Sequence, residues 1–177
     1  MMVGIYGFGS IGRLIAEVTL ERGYDIVGVV DVDENIIGKD VGEVLGIKSL
    51  GIEISRDIYV LSDADVVIHA TDSYLDKVFN QITSIVEMGI HVVSTCETLA
   101  YPYYRYPILA LQLDELAKDY GVSVIGTGIN PGFILDTLVV AISSSVTSIV
   151  SIKAVRSIDA AKRRESLSKE NWCRSRS

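Results

Sequence analysis

Three glycines close to the amino terminus, Gly7, Gly9 and Gly12 in GIYGFGSIGRL, follow an apolar run and open an amphipathic one. In that setting each has a mechanical task. Gly7 permits a tight strand-to-helix turn, Gly9 lets backbone approach a pyrophosphate, and Gly12 allows close packing of helix on strand. The free N–H groups and positive dipole end of that helix would hold the diphosphate, which adds Phe8, Ser10 and Ile11 to the candidate contacts. Nineteen residues beyond Gly12 stands Asp31, at the end of VGVVD. A carboxylate there accepts hydrogen bonds from an adenosine ribose and repels a 2′-phosphate. Together the two signals predict a dinucleotide site with NAD(H) favoured and NADP(H) possible, and Val32 as a further contact. A glycine-rich turn followed by a solvated acidic loop, Asp31 and Asp33 included, is the competing reading, and the spacing argues against it.

Open α/β sheets bind ligands at the carboxyl ends of their strands. The stretch HATDS places Ala70 and Thr71 near a nicotinamide ribose, and Ser73, a further cofactor candidate, is able to cap the helix that follows. STCETLAYP adds Thr95 to the cofactor candidates. Its Cys96 reads as a small buried hydrophobe rather than a reactive thiol. Glu97 either binds a substrate ammonium group or is a capping, solvated acid, and the sequence leaves both open. His69 reads as a strand residue, since nothing nearby in sequence orients it, and His91 as structural. Tyr101, Tyr103, Tyr104 and Tyr106 are expected to pack over the crevice. No metal site is expected.

These residues need a frame, and the chain supplies one. Short apolar runs (MVGIY, DIVGVVD, ADVVIHA, IHVVST, VSVIGTG) alternate with amphipathic segments, which predicts parallel α/β units. Continuous rather than alternating apolar strands imply a sheet covered on both faces. In SIGRLIAEVTLERG, Ile11, Leu14, Ile15 and Val18 form the expected buried face. SYLDKVFNQITSIVEMG is a helix closed by Gly89, and PILALQLDELAKDYG is another. The fold class is therefore α/β, a Rossmann-type doubly wound parallel sheet spanning residues 1–145. After NPGFILDTLVVAISSSV the near-alternation of TSIVSIKAVRSID predicts the first strand of a truncated second domain of α+β type, over residues 146–167.

Composition narrows the classes. Of 177 residues, 49% are hydrophobic and 22% charged, enough for a full core and incompatible with global disorder. Six of the 16 Lys/Arg and two of the 23 acids fall between Lys162 and Ser177. The rest holds ten basic and 21 acidic residues, a net of −11. So acidic a body repels phosphate backbones, so no nucleic acid partner is expected. Two cysteines make no disulfide framework, and no run approaches the length of a membrane span. With no basic n-region at the amino terminus, a cytoplasmic protein without a membrane partner is expected.

Three strings, VVSTCETLAYP, GTGINPGFILDTL and RSIDAAKRRESL, resemble the 2,4-diaminopentanoate dehydrogenase family, itself similar at greater distance to dihydrodipicolinate reductase. The resemblance runs from Met2 to about Leu167. It implies an NAD(P)-dependent oxidoreductase acting on the CH–NH₂ or C=N group of a small amino acid or diamine, and a homo-oligomer. It also implies that Asn130, Pro131 and Gly132 lie beside the nicotinamide. SIDAAKRR falls where dihydrodipicolinate reductases carry a His-His-x-x-Lys element; this chain has no His there. Asp159 and Lys162 are then the candidates for proton transfer, and Arg163 and Arg164 for a substrate carboxylate, with a solvated basic turn as the alternative. A non-catalytic dinucleotide-binding or regulatory module is the alternative.

Family members resembling this chain read approximately SL-x-KKIGAGAG where it reads SLSKENWCRSRS. Reverse translation of Lys169–Ser177, read one nucleotide later, makes KKIGAGAG fully available. Residues 168–177 are therefore expected to be an out-of-frame tail, on a truncated chain that binds cofactor with little turnover. The strand TSIVSIKAVRSID, without sheet partners, is expected to drive self-association.

Overall fold

The computed structural model describes residues 1–155 and 157. Its described residues divide into two units, one over Met1–Leu138 and one beginning at Val139.

In the first unit, six strands form one sheet: β1 (Met2–Tyr6), β2 (Asp25–Val30), β3 (Ile54–Ser55), β4 (Val66–His69), β5 (His91–Ser94) and β6 (Val124–Gly126). Every pairing is parallel and the order is β3-β2-β1-β4-β5-β6. The order reverses direction at β1, which leaves a crevice between the carboxyl ends of β1 and β4. Strands rich in Val and Ile suit this position because both of their faces are covered. On one face Val67 and Val92 pack with Leu75, Val78, Ile82 and Ile85 of α3 (Leu75–Glu87) and Leu113 of α5 (Pro107–Asp119). On the other, Val3, Ile5 and Val29 meet Ala16 of α1 (Ser10–Glu21) and Val41 of α2 (Val41–Leu45). A short helix, α4 (Pro102–Arg105), precedes α5.

Two sequence expectations change here. The buried face of α1 is Gly12, Ala16 and Thr19, and Ile15 of the expected stripe packs partly buried against the same core, whereas Leu14 and Val18 are exposed. At Gly12 the helix lies against the Gly7 carbonyl, where no side chain fits. Apolar spacing alone selected the bulkier stripe. The cap of α3 is not Ser73 either. The helix starts after Tyr74, and the Leu75 N–H donates to Thr98 Oγ1 at 2.8 Å, while the Ser73 carbonyl accepts from Thr98 N–H at 3.1 Å. The capping oxygen comes from a neighbouring strand-end loop.

Between β2 and β3, one carboxylate organises the chain. Asp40 caps α2 and accepts N–H bonds from Gly42, Leu50, Gly51 and Ile52, plus the Ser49 hydroxyl. The Leu50 N–H is the main reason its pKa falls to about 2.

In the second unit, α6 (Leu138–Ser143) starts at the boundary and runs into it. Over Thr147–Val155, where a strand is predicted, the described residues form no ladder. A strand exists by pairing, and no partner for this segment occurs among the described residues.

Candidate functional site

The turn from β1 into α1 makes the floor of the crevice. Gly7 has φ +96°, and a Cβ there would lie 2.5 Å from the Ala70 carbonyl oxygen. At Gly12 a Cβ would lie 1.9 Å from the Gly7 carbonyl oxygen. Gly9 differs. Its φ of −70° is open to any residue, and a Cβ there would meet nothing within 4 Å. Two of the glycines are thus required by the fold itself, and the third leaves open space at the positive end of a twelve-residue helix. Ser10 is exposed and Ile11 half-buried in the first turn of that helix, while the Phe8 ring is fully buried in the core.

Asp31 follows β2 and ties the next loop to the glycine turn. Its Oδ2 accepts the Phe8 N–H, and its Oδ1 accepts from Val32 N–H at 2.7 Å and Asp33 N–H at 2.8 Å. A carboxylate has about four acceptor positions, so Oδ2 retains one for a hydroxyl donor. Val32 is exposed. The guanidinium of Arg56, just past β3, bonds to the Val32 carbonyl at 3.3 Å and pairs with Glu34.

Across the crevice, the ends of β4 and β5 are joined by a polar cluster whose centre, His69 and Ser94, is buried, while Gln81 is partly buried and Thr71 exposed. His69 and Ser94 stand opposite each other in register and are both fully buried. His69 Nδ1 is 2.9 Å from Ser94 Oγ, and Nε2 is 2.8 Å from Gln81 Oε1 and 3.0 Å from Thr71 Oγ1. Thr71 donates to Gln81 Oε1 at 2.7 Å, and Ser94 Oγ accepts the Cys96 N–H at 3.1 Å. Burial pushes the His69 pKa down, which the Gln81 bond partly opposes. Ala70 lies against Gly7, and Thr95 donates its N–H to the His69 carbonyl at 2.9 Å. Burial raises the Tyr6 pKa, with the Asp31 charge second, and its ring stands 5.5 Å from the His69 ring.

Ser94, Gln81 and Thr98 are absent from the sequence reading. A signal existed: Val67/His69 and Val92/Ser94 alternate in two strands of one length, so the polar pair falls on one face. Cys96 is buried, and burial raises its thiol pKa. Glu97 is exposed and opens a single helical turn, Glu97–Leu99. His91 Nδ1 accepts the Ser123 N–H at 3.0 Å. Tyr101, Tyr103 and Tyr104 are exposed around α4.

Beyond β6 the Asn130–Pro131 bond is cis, and Gly132 has φ +126° with its N–H on Asp136 Oδ2 at 2.7 Å. Asp159, Lys162, Arg163 and Arg164 lie outside the described residues. Among the described residues no three His, Cys, Asp or Glu side chains are grouped to hold a metal ion, and no helix is long and apolar enough to cross a membrane.

Residues 1–98, more than half the chain, match the family described as "Dihydrodipicolinate reductase, N-terminus". The chain belongs to this reductase family. Over 158 residues it is 37% identical to 2,4-diaminopentanoate dehydrogenase from Acetoanaerobium sticklandii, covering 86% of this chain and 44% of that protein. Over 94 residues it is 34% identical to 4-hydroxy-tetrahydrodipicolinate reductase from Archaeoglobus fulgidus, covering 52% of this chain and 35% of that one. Among solved structures, the amine dehydrogenase from Mycobacterium smegmatis superposes with a TM-score of 0.79 at 29% identity, over 84% of this chain and 45% of its own. All three relatives are oxidoreductases, and this member of the reductase family spans less than half the length of each.

Proposed function

We propose that this chain is the dinucleotide-binding part of an NAD(P)-dependent oxidoreductase that acts at a carbon bearing an amine or imine. One observation carries the binding half. Of the three glycines at the end of β1, only Gly9 has room for a side chain, and that room faces a helix amino terminus. Space held open beside unpaired N–H groups fits a diphosphate. Gly9, Ser10 and Ile11 would bind it, Asp31 would take the adenosine ribose, and Ala70, Thr71, Thr95 and Asn130–Gly132 would border the nicotinamide. The Asp31 charge favours NAD(H) over NADP(H).

The amine half rests on likeness to the diaminopentanoate and amine dehydrogenases. A nicotinamide held by these residues would supply hydride exchange at the amine-bearing carbon. In this reading Glu97 holds an ammonium group, Asp159 and Lys162 move protons, and Arg163 and Arg164 grip a carboxylate. The division into residues 1–145, 146–167 and 168–177 goes with this proposal, as does self-association through the second unit, where Val140, Ile142, Val146, Val150 and Val155 are exposed. Isothermal titration of NADH, NADPH and ADP-ribose tests the binding half. Micromolar NADH binding, tighter than NADPH, is expected; a folded chain that binds none of the three overturns it.

A further inference from the structure

The His69 cluster has no place in the roles assigned above, yet it is the only fully buried imidazole among the described residues and all its polar contacts are made. The protons sort without conflict. Gln81 Oε1 can only accept, so at 2.8 Å the imidazole carries its proton on Nε2. Nδ1 is then an acceptor for the Ser94 hydroxyl, whose oxygen takes the Cys96 N–H. Gln81 Oε1 accepts the Thr71 hydroxyl as well. One ring thus fixes the last residue of β5 and the first residues past β4 to helix α3.

The consequence is directional. Thr71 Cγ2 lies 2.9 Å from where a Gly7 Cβ would stand, so Thr71 is the wall that closes on the glycine turn. With its hydroxyl bonded to Gln81 and His69, Thr71 cannot turn freely. Asp31 and the amino terminus of α1 lie on the other side of that turn and make no contact with the cluster through these bonds.

We propose that His69 is a positioning residue for the nicotinamide side of the crevice: through Gln81 and Ser94 it holds Thr71 and the Thr95–Cys96 turn in place, and so sets affinity for the nicotinamide half of the dinucleotide and not for the ADP-ribose half. This rests on the dinucleotide reading above. A preorganised wall adds affinity because the ligand need not order it on binding.

Titration calorimetry with NADH and with ADP-ribose on the whole chain, His69→Phe and Gln81→Met tests it. His69→Phe keeps a ring and removes both nitrogens; Gln81→Met removes the shared acceptor at a partly exposed helix position. Losing one or two neutral hydrogen bonds that order a wall should weaken NADH about 3- to 10-fold, with ADP-ribose unchanged. A purely structural role would weaken both ligands alike, and that result overturns the proposal, as does unchanged NADH affinity in a folded variant. Should His69→Phe not fold, Gln81→Met carries the test by the same ratio. If the unaltered chain binds neither ligand, the dinucleotide reading itself fails and this inference with it. If it binds ADP-ribose as tightly as NADH, the dinucleotide reading survives and the positioning role falls.

Discussion

Substituting Gly9 with alanine separates what the glycine turn does for folding from what it does for a ligand. In the protein without ligand the added methyl meets nothing within 4 Å, and φ −70° is unstrained for alanine. Two small terms act on stability. Alanine restricts the unfolded chain, worth about 0.4–1 kcal/mol in favour of folding. It is also a poorer helix N-cap than glycine, by under about 1 kcal/mol. They nearly cancel, so the melting temperature should move by no more than about 2 °C in a chain of this size.

Ligand binding should respond quite differently. A phosphate oxygen held by backbone N–H sits about 2.9 Å from nitrogen, whereas a methyl carbon requires about 3.5 Å or more. The methyl therefore displaces the diphosphate from at least one charge-assisted bond worth about 1.5–3 kcal/mol, a rise in Kd of about 10- to 150-fold. Gly12→Ala is the contrasting control. Its Cβ would lie 1.9 Å from the Gly7 carbonyl oxygen, so the strain falls on the fold, about 1–3 kcal/mol or more and several degrees of melting temperature. Differential scanning fluorimetry and NADH titration read both quantities. Gly9→Ala binding NADH within about threefold of the unaltered chain, at an unchanged melting temperature, would refute the assignment of this space to a diphosphate.

Asp31→Asn removes the charge and keeps one acceptor oxygen, which serves either the Phe8 N–H or the Val32 and Asp33 N–H groups. NADH should weaken and NADPH strengthen, narrowing their ratio by about tenfold; an unchanged ratio would show that Asp31 does not face the 2′ position. Asp40 should make an acid-sensitive contribution to stability. Its folded pKa is about 2, against about 3.9 in an unfolded chain. A depressed carboxylate pKa stabilises fully above the unfolded value and is lost as pH falls through the folded one, so the window runs from about 4 to about 2. Urea midpoints of the chain and Asp40→Asn should differ most at pH 7 and converge towards pH 2, and a gap independent of pH would contradict this. Light scattering of the chain at rising concentration should show association through the second unit; a monodisperse monomer speaks against it. We also propose that the codons for Ser168–Ser177 lie in a shifted frame. The frame one nucleotide later should stay open into a second-domain sequence, and an early stop there would reject the idea.

What could be read from the residues, and what could not, divides along the range of the interactions involved. Apolar runs of four to six residues announced β1, β2, β4 and β5 because each strand is buried by its own side chains. β3 is two residues long and owes its place to the loop that Asp40 gathers, so no local pattern marks it. Glycine spacing located the turn after β1. It also gave Gly9 a task apart from Gly7 and Gly12, but not the contacts behind the difference, because the clashes at those two involve Ala70 and a carbonyl across the turn. The burial face of α1 was misjudged for a related reason: closeness of approach is set by Gly12, and hydrophobic periodicity carries no information about distance. His69 shows the limit most clearly. Gln81 lies twelve residues on and Ser94 25 residues on, so of the partners that orient the ring only Thr71 is close in sequence. Strand register supplies what spacing lacks. It sets His69 against Ser94, lays α3 over both, and turns three unremarkable polar residues into one wall of the crevice. Polar groups fully buried at strand ends with every bond satisfied are costly to assemble unless the fold needs their geometry. In this fold the geometry they fix is that of Thr71 against the glycine turn, which is why the titration on the His69 and Gln81 variants bears on function as well as on stability.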